Sequence, residues 1–167
     1  MGKGGLGTAL LALLLAGGAW AQEVPDSAML SAAEPERLVE VLRGMGTTAE
    51  LMRDDAGNPK IEVGLGGWRT NIWFYDCEGG QNCLGIQFQL GFSTTRKLSL
   101  EQVNTFNARH RFQGLYLNAD RDPIMFHDMT LVTPGISAAV FRDTVSVFEI
   151  QVGALEKLVR DAGNTLD

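Results

Sequence analysis

The stretch that decides the fold is residues 83–92, C-L-G-I-Q-F-Q-L-G-F, near the middle of the 167-residue chain. Every second residue in it is large and apolar: Leu84, Ile86, Phe88, Leu90 and Phe92. The residues between them are glycine or glutamine. Because successive side chains of a strand point to opposite faces of a sheet, this pattern predicts a strand with one face in the core and the other polar or small.

The flanking sequence predicts further strands on both sides of this one. Residues 68–77 are rich in aromatic and β-branched residues, and residues 60–65 alternate between apolar and other types. Turn-forming residues at 54–59 and 120–123 separate pairs of strand-like segments. The predicted strands are residues 48–52, 60–65, 68–77, 83–92, 115–118 and 124–132.

Three helices are predicted around these strands. Pro35 suits a first helical position, Ser99 with Gln102 forms a capping-box sequence, and Ser137 can cap a long last helix. The last helix carries an apolar stripe that is too wide for a two-stranded coil: Phe141, Val145, Phe148, Val152, Leu155 and Val159, widened by Val140, Val147, Ile150 and Leu158. The sequence therefore predicts an α+β fold, an antiparallel sheet with helices on one side, in the order α-β-β-β-β-α-β-β-α.

The N-terminus has the three parts of a secretory signal peptide. Lys3 gives a positive start, residues 6–16 form an apolar run, and Ala19-Trp20-Ala21 is a small-x-small cleavage pattern. We expect residues 1–21 to be a signal peptide cut after Ala21, residues 22–33 a mobile N-terminal segment and residues 34–162 one folded domain. The mature protein is then expected to be periplasmic or secreted, with no stable membrane span after cleavage.

Charge argues against a nucleic-acid partner. Lys and Arg number 14 against 20 Asp and Glu, which gives a net charge of −6. Loss of Lys3 with the leader would make the chain more acidic still. Such a chain repels a phosphate backbone, so no nucleic-acid binding is predicted.

Cys77 and Cys83 lie at the turn between the two most strand-like segments. In an exported chain, an even pair placed across a hairpin predicts a structural disulfide. A redox pair or a set of metal ligands is the alternative, although five residues separate the cysteines and a thioredoxin-type site has two. Metal binding needs further ligands, and His110 and His127 belong to different elements. We predict no metal site and no cofactor.

His127 and Asp128 resemble part of a catalytic set. In a strand, however, adjacent residues point to opposite faces, so the two side chains should be apart. The serines lie where capping or a polar helix face explains them, and no triad can be assembled. We predict no catalytic residue; an envelope thiol-disulfide or hydrolytic enzyme using Cys77 and Cys83, or His127, remains the alternative.

Residues 68–77 divide their aromatic side chains between two faces. Trp68 and Phe74 share one face, whereas Trp73 and Tyr75 lie on the other. If this strand pairs with residues 83–92, Trp73 and Tyr75 adjoin Gln87 and Gln89 on a flat surface that suits a partner or a second subunit. The alternative is that a helix or the N-terminal segment covers this surface.

The chain resembles the YbjN-domain family through several short motifs. They are Phe74-Tyr75-Asp76-Cys77 followed by Cys83, residues 84–88, 103–107, Arg111-Phe112, residues 115–117 and residues 120–123. The resemblance implies a bacterial sensory-transduction regulator whose fold is similar to that of type III secretion chaperones, which commonly dimerise. It implies a binding role, and the family offers no agreed active site.

Asn104 and Asn107 match two asparagines of that family. Amides three residues apart share one side of a helix, so we expect both to be structural polar anchors for neighbouring loops. Taken together, the sequence predicts an exported, non-enzymatic binding or regulatory domain that acts through a sheet face or a dimer groove. The expected partner is a protein or peptide segment, with a homodimer as a further possibility.

Overall fold

The computed structural model describes residue 1 and residues 23–166. The predicted signal peptide and its cleavage site lie outside the described residues, apart from Met1. The helices are α1 (Pro35–Gly44), α2 (Leu100–Arg109) and α3 (Ala138–Asp161). The strands are β1 (Met29–Leu30), β2 (Ala49–Arg53), β3 (Pro59–Leu65), β4 (Trp68–Tyr75), β5 (Gly85–Gly91), β6 (Gly114–Leu117), β7 (Pro123–Thr130) and β8 (Ile136–Ser137).

Six of the strands form one antiparallel sheet in the order β2-β3-β4-β5-β7-β6. The long strands β4 and β5 lie at its centre, in the register that opposes Trp73 to Gln87 and Ile72 to Phe88. Together with three helices, this sheet confirms the α+β class predicted from the sequence.

The core lies on one side of the sheet, where the alternating apolar residues of the strands meet the helices. Phe88 of β5 is fully buried, and its ring centroid lies 6.1 Å from that of Phe141 and 5.3 Å from that of Phe148. The six residues of the predicted stripe of α3 are completely buried, whereas Val140 and Ile150, which were expected to widen it, are exposed. Helix α3 therefore packs over the sheet through this stripe.

The helix ends follow the signals in the sequence. Pro35 begins α1, and Ser99 and Gln102 exchange both hydrogen bonds of a capping box at the start of α2. The Ser137 hydroxyl accepts from the Val140 amide at the start of α3. None of the three helices formed by the described residues combines the length and apolar composition that a bilayer-spanning helix requires.

Two short strands correct the predicted element order. β1 pairs with β8 in a separate two-stranded sheet, so an additional strand precedes α1 and another precedes α3. Leu30 and Ala32 are fully buried in the core, although residues 22–33 were expected to be a mobile segment. A strand of two residues shows no alternation, and therefore the sequence pattern gives no sign of it.

The N-terminal residues also bind the start of α3. Arg142 donates from Nη1 to the Asp26 carboxylate at 2.6 Å and from Nη2 to the Val24 carbonyl at 2.5 Å. The backbone amides of Ala138 and Ala139 donate to the carbonyls of Ala28 and Asp26. Since the first amides of a helix have no partner within it, residues 24–28 satisfy groups that α3 would otherwise leave free.

Two polar side chains fix the connection between β5 and α2. Asn164 is 7% exposed, and its amide exchanges hydrogen bonds with the backbone of Thr95 and Arg96. Asp122 accepts from the Thr94 amide at 2.8 Å and from Lys97 Nζ at 2.6 Å. Asp122 thus holds the two outer residues of the segment 94–97, and Asn164 holds the two residues between them.

Asp122 should make stability depend on pH. The Lys97 hydrogen bond, helped by those from Thr94 and opposed by burial, lowers the pKa of the Asp122 carboxyl. A carboxyl with a lowered folded-state pKa stabilises the fold above its unfolded-state pKa, and this contribution is lost as the pH falls through the folded value. We expect Asp122→Asn to reduce the free energy of unfolding at pH 7 by about 1–2 kcal/mol. In urea titrations, the difference from the parent should shrink as the pH falls from 7 towards 3.

Lys97→Met is the matched test of the cause. Because the Lys97 hydrogen bond is the largest influence on Asp122, this variant should also flatten the pH dependence of stability. A gap between Asp122→Asn and the parent that stays constant down to pH 3 would contradict the role assigned to the Asp122 charge.

Candidate binding surface on the open face of the sheet

The outer face is the side of the six-stranded sheet opposite the core. It is formed by the outward-pointing residues of the strands: Glu50 and Met52 of β2; Lys60, Glu62 and Gly64 of β3; Arg69, Asn71, Trp73 and Tyr75 of β4; Gly85, Gln87, Gln89 and Gly91 of β5; Ile124, Phe126, Asp128 and Thr130 of β7; Gly114 and Tyr116 of β6. Each of these residues is exposed or half-buried. Within the described residues, no helix packs on this face.

The structure brings the four predicted surface residues together. Trp73 lies opposite Gln87 in the register, but its indole N–H donates diagonally to Gln89 Oε1 at 3.0 Å. The Tyr75 hydroxyl donates diagonally to Gln87 Oε1 at 3.4 Å. Diagonal neighbours on one face of an antiparallel pair are within reach of long side chains, and both aromatic residues use this geometry.

The two glutamines extend these contacts across the sheet. Gln87 Nε2 donates to the Asp128 carboxylate at 2.8 Å, and Gln89 Nε2 donates to the Tyr116 hydroxyl at 3.2 Å. Each glutamine therefore accepts a hydrogen bond from an aromatic residue of β4 and donates one to a residue of β7 or β6 on the same face. Two hydrogen-bonded rows result, Trp73-Gln89-Tyr116 and Tyr75-Gln87-Asp128.

Tyr116 and Phe126 belong to the same surface, although the sequence analysis did not assign them to it. Their rings meet edge to face with centroids 5.7 Å apart. Phe126 lies over Gly114, where a Cβ would come within 2.4 Å of the Phe126 ring. The sequence contains one sign of this contact. If the two strands pair, a glycine lies opposite an aromatic residue, and the aromatic ring can cover the glycine.

Charge is distributed unevenly over the outer face. Lys60 Nζ lies 5.1 Å from the centre of the Trp73 ring, and Arg69 approaches Glu62 at 3.6 Å. At the Tyr75 end, Asp128 is linked to the tyrosine through Gln87, whereas Arg53 is already bound to the carbonyls of Gly57 and Gly80. Burial raises the pKa of the Tyr75 hydroxyl, and the negative charges of Asp128 and Asp54 act in the same direction.

The outer face presents two aromatic rings to the solvent. Tyr75 is 45% exposed and Tyr116 is 41% exposed, so both rings are available to a partner. Their hydroxyl groups are held by the glutamines, which reduces the side-chain entropy that binding would otherwise cost. Rigid aromatic groups with a polar end are enriched where proteins bind partners.

Cys77 and Cys83 lie beside this surface at the end of β4. Their sulfur atoms are at disulfide distance, 2.11 Å apart. Within the closed loop, the backbones of Glu78 and Gln81 exchange two hydrogen bonds. Arg53 donates to the carbonyls of Gly57 and Gly80, which joins this loop to the turn between β2 and β3. Cys83 is 2% exposed, so this cysteine is sheltered from the solvent.

His127 and Asp128 are separated as strand geometry requires. His127 points to the inner side, where its ring lies 6.3 Å from that of Phe88 and Nδ1 contacts the Phe112 carbonyl. Asp128 points to the outer face and bonds to Gln87. The two groups cannot form an acid-base pair in this arrangement.

The two family asparagines of α2 behave differently. Asn107 donates to the Leu115 carbonyl at 3.0 Å and accepts from the Leu115 amide at 2.8 Å. Its amide thereby occupies the free backbone edge of β6, which protects an edge strand from pairing with another chain. Asn104 is exposed, and among the described residues its side chain makes no hydrogen bond. The anchor role expected of Asn104 is therefore not seen.

Across residue 1 and residues 23–166, no three His, Cys, Asp or Glu side chains come close enough together to hold a metal ion. His110 bonds to the Phe106 carbonyl at the end of α2, far in sequence from the hairpin of His127.

The fold and this surface define a class of protein: a small α+β domain with one face of its sheet open and lined by fixed aromatic side chains. Comparison with protein families is consistent with that class. A family model described as "putative bacterial sensory transduction regulator" matches residues 34–157. The chain belongs to this family, the YbjN family, as the motifs in the sequence indicated.

No curated protein sequence matches the chain significantly. The family match stops short of the last turn of α3 and of Asn164. The family's description is that of a regulator.

Proposed function

We propose that this protein is an exported, non-enzymatic regulatory domain that binds a protein segment through the outer face of its sheet. The observation that carries the proposal is the pair of hydrogen-bonded rows that hold Trp73, Tyr75 and Tyr116 in place on an open surface. Protein interfaces are enriched in such aromatic residues, and the binding energy concentrates in a few of them.

Export is part of the proposal because two features of the sequence favour it together. The leader pattern of residues 1–21 predicts translocation, and an oxidised Cys77–Cys83 pair persists in an oxidising compartment. A second copy of the chain that shares this face is the alternative occupant, and it would make the protein a homodimer.

Replacing Trp73 and Tyr75 together by serine is expected to abolish partner capture. The double variant removes both rings and both hydrogen bonds to the glutamines, and truncation of central aromatic residues commonly costs 2 kcal/mol or more of binding energy, about a 30-fold loss of affinity. The measurement is pull-down of partners from extract of the source cells by tagged parent and variant, compared at equal concentration.

Ile150→Ser is the matched control. Ile150 is 69% exposed on α3, on the helix side of the molecule, so its replacement removes an exposed apolar side chain from another surface. Circular dichroism should show that both variants fold. If capture by the Trp73 and Tyr75 variant equals that of the parent, the outer face is not the binding surface.

A further inference from the structure

Resting on the proposed function, we infer that the outer face recognises a basic, extended segment of its partner, with lysine or arginine side chains lying over Tyr75 between carboxylates. The segment binds at the Tyr75 end of the outer face, where Gln87 links Tyr75 to Asp128.

The first argument is charge. The outward strand positions carry three carboxylates, Glu50, Glu62 and Asp128, and two cations, Lys60 and Arg69. The turn after β2 adds Asp54 and Asp55, and Arg53 beside it is bound to the carbonyls of Gly57 and Gly80. Arg69 is already directed to Glu62. At the Tyr75 end, Gln87 links Tyr75 to the Asp128 carboxylate, and the whole chain carries a net charge of −6. Complementary charge steers partners and selects among them.

The second argument is the arrangement of the rings. Lys60 Nζ over Trp73 shows that this face accommodates an ammonium group against an aromatic ring. The more exposed ring of Tyr75 has no such cation among the described residues. A lysine or arginine from a partner could cover Tyr75 with its stem and place its charge near Asp128, gaining both a cation-π contact and an ion pair.

The geometry also disfavours other modes of peptide binding. Strand addition needs free backbone groups, and those of β4 and β5 are consumed by neighbouring strands on both sides. An amphipathic helix needs an apolar groove, whereas a hollow on this face is lined by charged side chains, Glu50, Glu62 and Arg69 among them. Acidic or phosphorylated motifs need a cluster of arginines, and the Tyr75 end of this face is acidic.

The test uses the purified full chain and a short fluorescent peptide of alternating lysine and serine, with binding followed by anisotropy. We expect saturable binding that weakens as salt rises from about 0.05 to 0.5 M, since rim charges are screened. The peptide with glutamate in place of lysine should not bind. Asp128→Asn, which keeps an oxygen for Gln87, should weaken binding about threefold to tenfold, and Tyr75→Ser should weaken it by a similar factor.

Asp143→Asn is the matched control, because it makes the same charge change at an exposed position on α3. Equal affinity of the lysine peptide for the parent, Asp128→Asn and Asp143→Asn would mean adsorption by net charge, and would overturn the inference. Absence of binding would also overturn it. If partner capture is then still lost in the Trp73 and Tyr75 variant, the proposed function survives without it; if capture is unchanged, both fail. Loss of a dimer in that variant would identify a second copy as the occupant and overturn the basic segment.

Discussion

Replacing Gly135 by alanine is expected to lower the free energy of unfolding by about 3 kcal/mol or more. Gly135 precedes β8 with φ of +85°, a backbone conformation that residues with a Cβ rarely adopt. A Cβ at this position would come within 1.7 Å of the Leu30 carbonyl oxygen. The clash is with backbone, so no side-chain rotation can relieve it.

The consequence of Gly135→Ala is displacement of β1. Leu30 pairs with Ile136 in β8 and is completely buried in the core. A shift of its backbone therefore disturbs the core directly. Moving it would leave a cavity, and large-to-small changes in cores commonly cost 2–5 kcal/mol. Urea unfolding of parent and variant measures the difference directly.

Gly153→Ala is the control for this prediction. Gly153 lies in the middle of α3, and a Cβ there would meet nothing within 4 Å. Because glycine disfavours a helix interior, this variant should gain about 0.5–1 kcal/mol. A Gly135→Ala protein as stable as the parent would show that residues 29–32 are not fixed to the fold in solution.

The second large effect is expected for Asn164→Ala, a loss of about 2–3 kcal/mol. The Asn164 Oδ1 accepts from the Arg96 amide at 2.8 Å and from the Thr95 amide at 3.1 Å, while Nδ2 donates to the carbonyls of Arg96 and Val159. Alanine would leave the part-buried backbone groups of Thr95 and Arg96 without these partners, which costs more than the loss of an exposed hydrogen bond.

Asn104→Ala is the matched control, because it also replaces an asparagine by alanine. Asn104 is exposed and makes no hydrogen bond among the described residues, so the change should stay within about 0.5 kcal/mol. The melting temperatures of the two variants, compared with that of the parent, distinguish an amide that holds a loop in place from one that does not. If Asn164→Ala and Asn104→Ala melt together, the loop between β5 and α2 is held by other contacts.

The regular alternation of apolar residues and the helix-capping motifs predict most of the fold. The period of residues 83–92 places Phe88 inside and Gln87 outside, and the structure shows both placements. Ser99 and Gln102 likewise mark the start of α2 because capping is a local interaction. Such features depend on neighbours in sequence, and a single sequence therefore reveals them.

Contacts between distant residues could not be predicted in the same way. Asn164 reaches Arg96 across 68 positions, and Gly135 touches Leu30 across more than 100. Nothing in the local sequence distinguishes Asn164 from an exposed C-terminal amide. The register of β4 against β5 is also needed before Trp73 can be assigned to Gln89 rather than to Gln87.

The outer face could be predicted from the sequence only in part. Strand period alone indicates that Trp73 and Tyr75 share one side of β4, and proximity in sequence suggests β5 as their neighbour. The contribution of Tyr116 depends on β7 lying beside β5 with β6 outside it, an order that the sequence does not contain. The sequence therefore predicted the centre of the surface but not its far edge.

The most direct measurement is photo-crosslinking from the outer face itself. A photoreactive phenylalanine analogue would replace Tyr75 in one sample and Ile150 in another, each introduced into the full chain in its source cells. The account predicts a specific crosslinked partner from position 75, lost when Trp73 is also replaced by serine, and none of that size from position 150. The same adduct from both positions, or from position 150 alone, would contradict a binding role for the outer face.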